Sequence, residues 1–247
     1  MTTTYRPSQH NYHIDGLDSV QVYEAAAAVA PWWNIDGLTP GGVGGTCVAA
    51  YQPKAGGLYN PVNILESYIN RANPGTYDAA PGVAPAWAAG TGWSFDGLAQ
   101  YLSTGFASTD NTWSVLLQFS GRTGIATEGM FGSVSGGLSR GMQISQDVVT
   151  PNTIFCSNGG AAYIEIAPRM AAGNICISGK NVYVNGAPAG VIGAGVAVSG
   201  INDFIGCANV FGVPAAYCLF TCTALSIYNV SITAPQVLAR VTAMAAI

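Results

Sequence analysis

The stretch Trp113-Ser114-Val115-Leu116-Leu117-Gln118-Phe119 decides the fold. Trp113, Val115, Leu117 and Phe119 recur at period two and so share one face of an extended strand. Ser114, Leu116 and Gln118 fall on the other face. Outward from this strand the chain repeats the pattern in short runs. Val48 to Tyr51 precedes it. Met142-Gln143-Ile144, Ala162 to Ile166, Asp203 to Cys207 and Tyr217 to Tyr228 follow it. Ile175-Cys176-Ile177 is expected to pair with Val182-Tyr183-Val184, and Asn185-Gly186 behind them is a strong two-residue hairpin signal. Trp93-Ser94-Phe95 runs into Asp96-Gly97, which predicts another hairpin, to Tyr101-Leu102. Residues 71–92, with Pro74, Pro81 and Pro85, read as loop. Many short strands with Gly-rich turns and little helix predict an all-β sandwich or jelly roll.

Two short helices are expected at the ends. Val20 to Ala30 reads as one, closed by Pro31. Thr233 with Gln236 matches a capping box, Pro235 fits the first turn, and Val237, Val241 and Met244 form an apolar stripe. The apolar run Val182 to Val198 is broken by Asn185, Pro188 and four glycines, so it reads as strand–turn–strand rather than a spanning helix. Residues 1–45 are read as an arm with one helix and a Gly-rich linker, and residues 46–247 as the sandwich. Trp32 and Trp33 follow the arm's helix. They suit an anchor in a neighbouring surface or a cap on the domain's own core, and both readings stay open.

With 247 residues the chain is long enough for a large β-domain. Only 8% of residues are charged, against about 25% in a typical soluble domain. A surface so poor in charge points to cover by partner subunits, and a homo-oligomer is expected. The net charge is −4 and the eight cations are scattered, which argues against nucleic acid and against a polybasic membrane patch. The opening residues lack an apolar h-region, so no secretory signal is expected. Cys47, Cys156, Cys176, Cys207, Cys218 and Cys222 include no C-x-x-C pair, and buried reduced thiols are the preferred reading.

Several of these runs, in this order, resemble a known family. Trp93 to Gly97 with Tyr101-Leu102, then Asn111 to Val115, then Val182-Tyr183-Val184-Asn185-Gly186 resemble strands of laminin-G-like, concanavalin-A-like domains. Phe204-Ile205-Gly206 and the closing Leu225 to Asn229, Ser231-Ile232-Thr233 and Gln236-Val237 continue the likeness. The family's small glycine in the strand before that ending is replaced near Cys222. Cys47 to Trp87 also resembles the lead-in of such domains in phage-type and environmental surface proteins. The resemblance implies a concanavalin-A-like jelly-roll sandwich.

It also implies chemistry to test. The family's glucanases carry Glu-x-Asp-x-x-Glu on one strand, so that one carboxylate is acid and the other nucleophile. Glu165 is the nearest match, but Ala167 takes the Asp position and no second Glu follows. Gly137-Leu138-Ser139-Arg140-Gly141 spells a nucleophile elbow, yet both histidines, His10 and His13, precede it. His10, His13 and Asp15 read as surface residues rather than metal ligands. Calcium, which the family often binds through loop oxygens, leaves Asp96, Asp110 and Asp203 as candidates, with turn formation the preferred role. Tyr163, Tyr183, Phe211 and Tyr217 are candidates for a glycan platform, though strand aromatics are more often core. The expectation is therefore a protein without catalysis or obligate cofactor. It would be a structural component of a viral particle, a phage capsid-decoration, tail or fibre protein made in the host cytoplasm, contacting other virion subunits. The alternative is a carbohydrate-binding module that recognises a host or cell surface.

Overall fold

The computed structural model describes residues 30–35, 46–123, 128–135, 139–146, 153–160, 162–193 and 200–247. Residues 20–29 of the helix predicted over Val20 to Ala30, His10, His13 and Asp15, the linker glycines and Gly137-Leu138 lie outside them. Pro31–Ile247 forms one compact unit, distinct from Met1–Ala30.

Two sheets make this unit. The first contains β1 (Cys47–Tyr51), β3 (Ala86–Ala88), β4 (Gly92–Asp96), β6 (Ser114–Ser120), β11 (Gly173–Ser178), β12 (Asn181–Val184), β13 (Ala187–Val191) and β17 (Leu219–Tyr228). Its order is β13-β12-β11-β6-β17-β4-β3, with β1 also on β17. The second contains β2 (Ala80–Val83), β5 (Tyr101–Ser103), β7 (Gly129–Ser135), β8 (Ser139–Gln146), β9 (Ile154–Gly160), β10 (Tyr163–Ile166), β14 (Phe204–Ile205), β15 (Ala208–Val210) and β16 (Val213–Ala215). Its order is β10-β9-β8-β7-β14-β5-β2. Pairing between these strands is antiparallel except where β15 runs parallel to β7. The chain is an all-β sandwich with two helices, α1 (Ile64–Ser67) and α2 (Ala234–Met244). Among the described residues, no helix is long and apolar enough to cross a membrane.

The alternation read in β6 places the side chains as expected. Val115, Leu117 and Phe119 enter the core between the sheets, with Trp93, Phe95, Phe131, Ile144, Ile177 and Ile205. Leu116 faces the other way and is equally buried, because a second core covers the outside of the first sheet. In β17 a bulge between Cys222 and Ala224 shifts the alternation by one. Phe220 and Cys222 point inward before it, Leu225 and Ile227 after it. The β11–β12 register is as predicted, with Ile175 opposite Val184 and Ile177 opposite Val182. Asn185 and Gly186 both take positive φ, 50° and 84°, and turn β12 into β13.

Helix α2 begins where the capping residues predict. The Thr233 N–H donates to Gln236 Oε1 at 2.7 Å. Its Val237 and Met244 are buried against the first sheet with Cys176, Tyr183 and Tyr228. Fully burying such side chains stabilises by about 1.5–3 kcal/mol each. Arg240 is also buried, with Nε–H donating to Tyr228 Oη at 2.9 Å and the guanidinium 4.9 Å from that ring.

Trp32 and Trp33 belong to the same outer core, at 6% and 1% exposure. Trp32 Nε1–H donates to Gln52 Oε1 at 3.0 Å, and Tyr228 Oη donates to the Trp33 carbonyl at 3.1 Å. The pair thus caps the chain's own sheet and is not presented to a neighbour, which corrects the partner-anchor expectation. The physical reason is that the first sheet has apolar residues on both faces. Its outer one must be covered, and α2 with the tryptophans covers it.

Two other expectations need correction. Residues 80–83 and 86–88 are strands, not loop. Both are edge strands, where prolines such as Pro81 are tolerated because one side of the backbone needs no partner. Asp96-Gly97 does not close a hairpin, since β4 and β5 lie in different sheets. Asp96 Oδ1 instead accepts from the N–H groups of Leu98, Ala99 and Gln100, and this wide turn carries the chain across the sandwich.

Candidate functional site

An open cleft of about 490 Å³ lies on the outer face of the second sheet, within the size range of small-molecule sites. Three distant segments build it: β2, β5 and residues 201–212. In β5, Leu102 is fully buried in the core, so its neighbours Tyr101 and Ser103 point out of the sandwich. Phe204 and Ile205 divide in the same way, with Ile205 in the core. Tyr101 and Phe204 meet with ring centroids 4.9 Å apart, and Tyr217 stands 6.4 Å from Tyr101. The Tyr101 ring lies directly over Gly82, where a Cβ would come within 1.9 Å of it. Gly82 is therefore required for the ring's position.

The backbone beside Phe204 is held firmly. The Asp203 N–H donates to the Phe106 carbonyl at 2.7 Å, and the Asp203 carbonyl accepts from Thr104 Oγ1 at 2.8 Å. Asn209 Nδ2 donates to the Asn202 carbonyl at 2.7 Å. The buried Asn209 Oδ1 has no hydrogen-bond partner among the described residues. The cleft thus combines two aromatic rings with amide and hydroxyl groups from Asn202, Tyr101 and Ser103. Such a surface can stack the apolar face of a ring and hydrogen-bond its substituents.

The glycan-platform candidates are scattered by the fold. Tyr183 is buried under α2 in the outer core and can present nothing to a ligand. Tyr163, 48% exposed and stacked on Phe155, sits on β10 at the opposite edge of the sheet from β5 and β2. Phe211, 62% exposed, follows β15 next to the lining residue Gly212. Tyr217 adjoins Tyr101. Its hydroxyl is raised above the ordinary range by burial and by the neighbouring Cys207, Tyr101 and Asp96. The cleft residues Tyr101, Phe204, Asn202 and Asn209 were missed as site residues. The signals at Tyr101-Leu102 and Phe204-Ile205-Gly206 marked strands of the resemblance and not a site.

The calcium candidates are not gathered into one site. Burial would raise the Asp96 carboxyl, but three backbone N–H donors outweigh it and hold the group below its usual range. Asp110 accepts from the Thr112 N–H at 2.7 Å and from the Thr112 hydroxyl. These bonds and one from Trp113 outweigh burial and lower its carboxyl also. Both carry the turn role. Asp203 is fully buried. Ser133 Oγ donates to its Oδ1, while Oδ2 has no hydrogen-bond partner among the described residues. Burial pushes its carboxyl up to about 8, and the Ser133 bond offsets only part of that. Among the described residues, no three His, Cys, Asp or Glu side chains are placed to hold a metal ion. All six cysteines are free and buried, as expected; burial raises their thiols, Cys47, Cys207 and Cys218 up to about 12. Glu165 lies on β10 opposite Phe155, with no second carboxylate on β9 or β10.

No protein-family profile matches the chain, and no curated protein sequence does. Solved structures similar to it include sialidases. A Trypanosoma rangeli sialidase with 2,3-difluorosialic acid, a covalent intermediate, is 14% identical with a TM-score of 0.53, over 79% of this chain and 32% of that one. A mutant of the same enzyme displaying trans-sialidase activity is 15% identical with a TM-score of 0.54, over 78% and 32%. This chain spans about a third of the length of those proteins, and at such identity the likeness is one of fold. It nevertheless overturns the expectation of a protein that is not an enzyme. That expectation rested on a missing pair of carboxylates, and sialidases are glycosidases that depart from the two-carboxylate rule by using a tyrosine nucleophile. The missing pair therefore excludes nothing.

Proposed function

We propose that this chain binds carbohydrate through the outer cleft of its second sheet, as a lectin-like sandwich of the laminin-G-like, concanavalin-A-like kind. The observation that carries the reading is the cleft itself. Tyr101 and Phe204 form an aromatic wall, Asn202 and Ser103 supply polar groups, and Gly82 holds the Tyr101 ring in place. The run of family-like elements ending in the Asn185-Gly186 hairpin and the capped terminal helix supports the finer assignment. A glycan array with the full chain, beside Tyr101→Ala, tests it. Binding that falls tenfold or more in the variant, about 1.4 kcal/mol, is the expected result. Binding that is absent, or indifferent to Tyr101, refutes it. The same preparations assayed for sugar release would tell whether the bound glycan is also cleaved.

A second reading, as a subunit of a viral particle, is favoured by one surface feature. Leu58, Val62 and Leu65 are 55%, 76% and 72% exposed within a single short stretch. Together with the scarcity of charge this suits a contact with another subunit. Native mass measurement of the full chain with and without Leu65→Lys tests it. A concentration-dependent oligomer lost in the variant supports the reading, and a monomer at all concentrations ends it.

A further inference from the structure

The chemistry of the cleft wall also specifies which sugars it can accept. We infer that the cleft selects uncharged saccharides and rejects acidic ones, including the sialic acid named with the similar sialidases. This rests on the carbohydrate-binding reading and narrows it. Acidic sugars carry a carboxylate or sulfate that must be desolvated on binding, and a buried anion needs a cation or a cluster of N–H donors to offset that cost. Arginine is the usual partner because its planar fork matches a carboxylate.

None of the residues that line the cleft is charged. The cations whose side chains are described lie elsewhere. Arg71 lies 5.5 Å from the Tyr59 ring, and Arg240, on α2, lies against Tyr228. Arg122 is buried, with Cys218 and Glu128 among its neighbours, and Arg169 donates to the Thr123 carbonyl. Lys180 sits in the β11–β12 turn and Lys54 follows β1, both outside the lining.

Asp203, between the lining residues Asn202 and Phe204, is fully buried and bonded to Ser133, so it offers an incoming anion no partner. Among the described side chains an acidic sugar would therefore meet no compensating cation. A neutral pyranose needs none. Its apolar face can lie on the Tyr101–Phe204 wall, and its hydroxyls can exchange hydrogen bonds with Asn202, Ser103 and the Tyr101 hydroxyl. With no ion pair involved, salt should hardly affect affinity.

Binding of the full chain to two probe sets tests this. The neutral set is mannan, galactan, β-glucan and chitin oligosaccharides; the acidic set is 3′-sialyllactose, oligogalacturonate and heparin fragments. The expected result is Tyr101-dependent binding confined to neutral probes, changing less than about twofold between roughly 50 and 500 mM NaCl. In Asn202→Arg, which places a cation on the exposed rim, at least one acidic probe should gain tenfold or more. Tyr101-dependent binding of an acidic probe by the unmodified chain, weakened by salt, overturns the inference while leaving the carbohydrate-binding reading intact. If no probe of either set binds, the carbohydrate-binding reading and the inference fall together.

Discussion

Replacing Asp203 by asparagine should remove most of a pH dependence built into the fold. The carboxyl is fully buried, accepts one hydrogen bond from Ser133, and is pushed up to about 8 by burial. In the unfolded chain the same group ionises near its ordinary value of 3.8. Below about pH 4 it is protonated in both states and costs nothing. As pH rises from about 4 to about 8 the unfolded chain releases the proton while the folded chain keeps it. Stability therefore falls through that window and levels off above it. Each pH unit is worth up to about 1.4 kcal/mol, so the loss across the window has a ceiling of roughly 6 kcal/mol. The asparagine side chain has the same shape, would accept from Ser133 through its amide oxygen, and carries no charge. Urea denaturation of both proteins at about pH 4.5, 6, 7.5 and 9 separates this effect from every other titrating group, because those cancel in the difference. The Asp203→Asn variant should gain at least about 2 kcal/mol relative to wild type between about pH 4.5 and 7.5. Parallel stability curves, or a variant that loses ground as pH rises, would refute a buried neutral carboxyl.

Three other outcomes follow from the same packing. Trp33→Ala should cost about 3–5 kcal/mol in urea denaturation, because it empties the outer core beneath the chain's own entry segment. A cost under about 1 kcal/mol would mean the tryptophans are not part of the fold. Gly82→Ala should displace the Tyr101 ring and weaken glycan binding tenfold or more, with stability changed by less than about 1 kcal/mol because β2 is an exposed edge strand. Unchanged affinity would show that the ring position is irrelevant. The six cysteines should resist a thiol reagent in the native protein at about pH 8 and react fully after denaturation, since burial disfavours each thiolate.

Local patterns were legible in the sequence, and long-range placement was not. The β6 alternation, the β11–β12 register and the Thr233–Gln236 cap each depend on residues a few positions apart, and all three appear as read. Strands β2 and β3 were hidden because Pro81 and Pro85 look like loop, and only an edge position makes such a sequence compatible with pairing. Asp96-Gly97 carried the residues of a hairpin turn. Whether it closes a hairpin or crosses between sheets depends on where Tyr101 finds its partners, and the strand that holds it pairs with β2 and β14. The destination of Trp32 and Trp33 likewise depended on β17 and α2, nearly two hundred residues away. The cleft was the least legible feature. Gly82, Tyr101 and Phe204 come from segments separated by up to about 120 residues, and none carries a binding motif.

The most direct test of the carbohydrate-binding cleft is amide hydrogen exchange of the full chain, with and without a saturating neutral oligosaccharide chosen from the array. Slowed exchange should concentrate in residues 80–83, 101–103 and 201–212, and should vanish in Tyr101→Ala. Protection centred on β10 around Tyr163, or on the exposed stretch from Leu58 to Leu65, would place the ligand elsewhere and contradict the account.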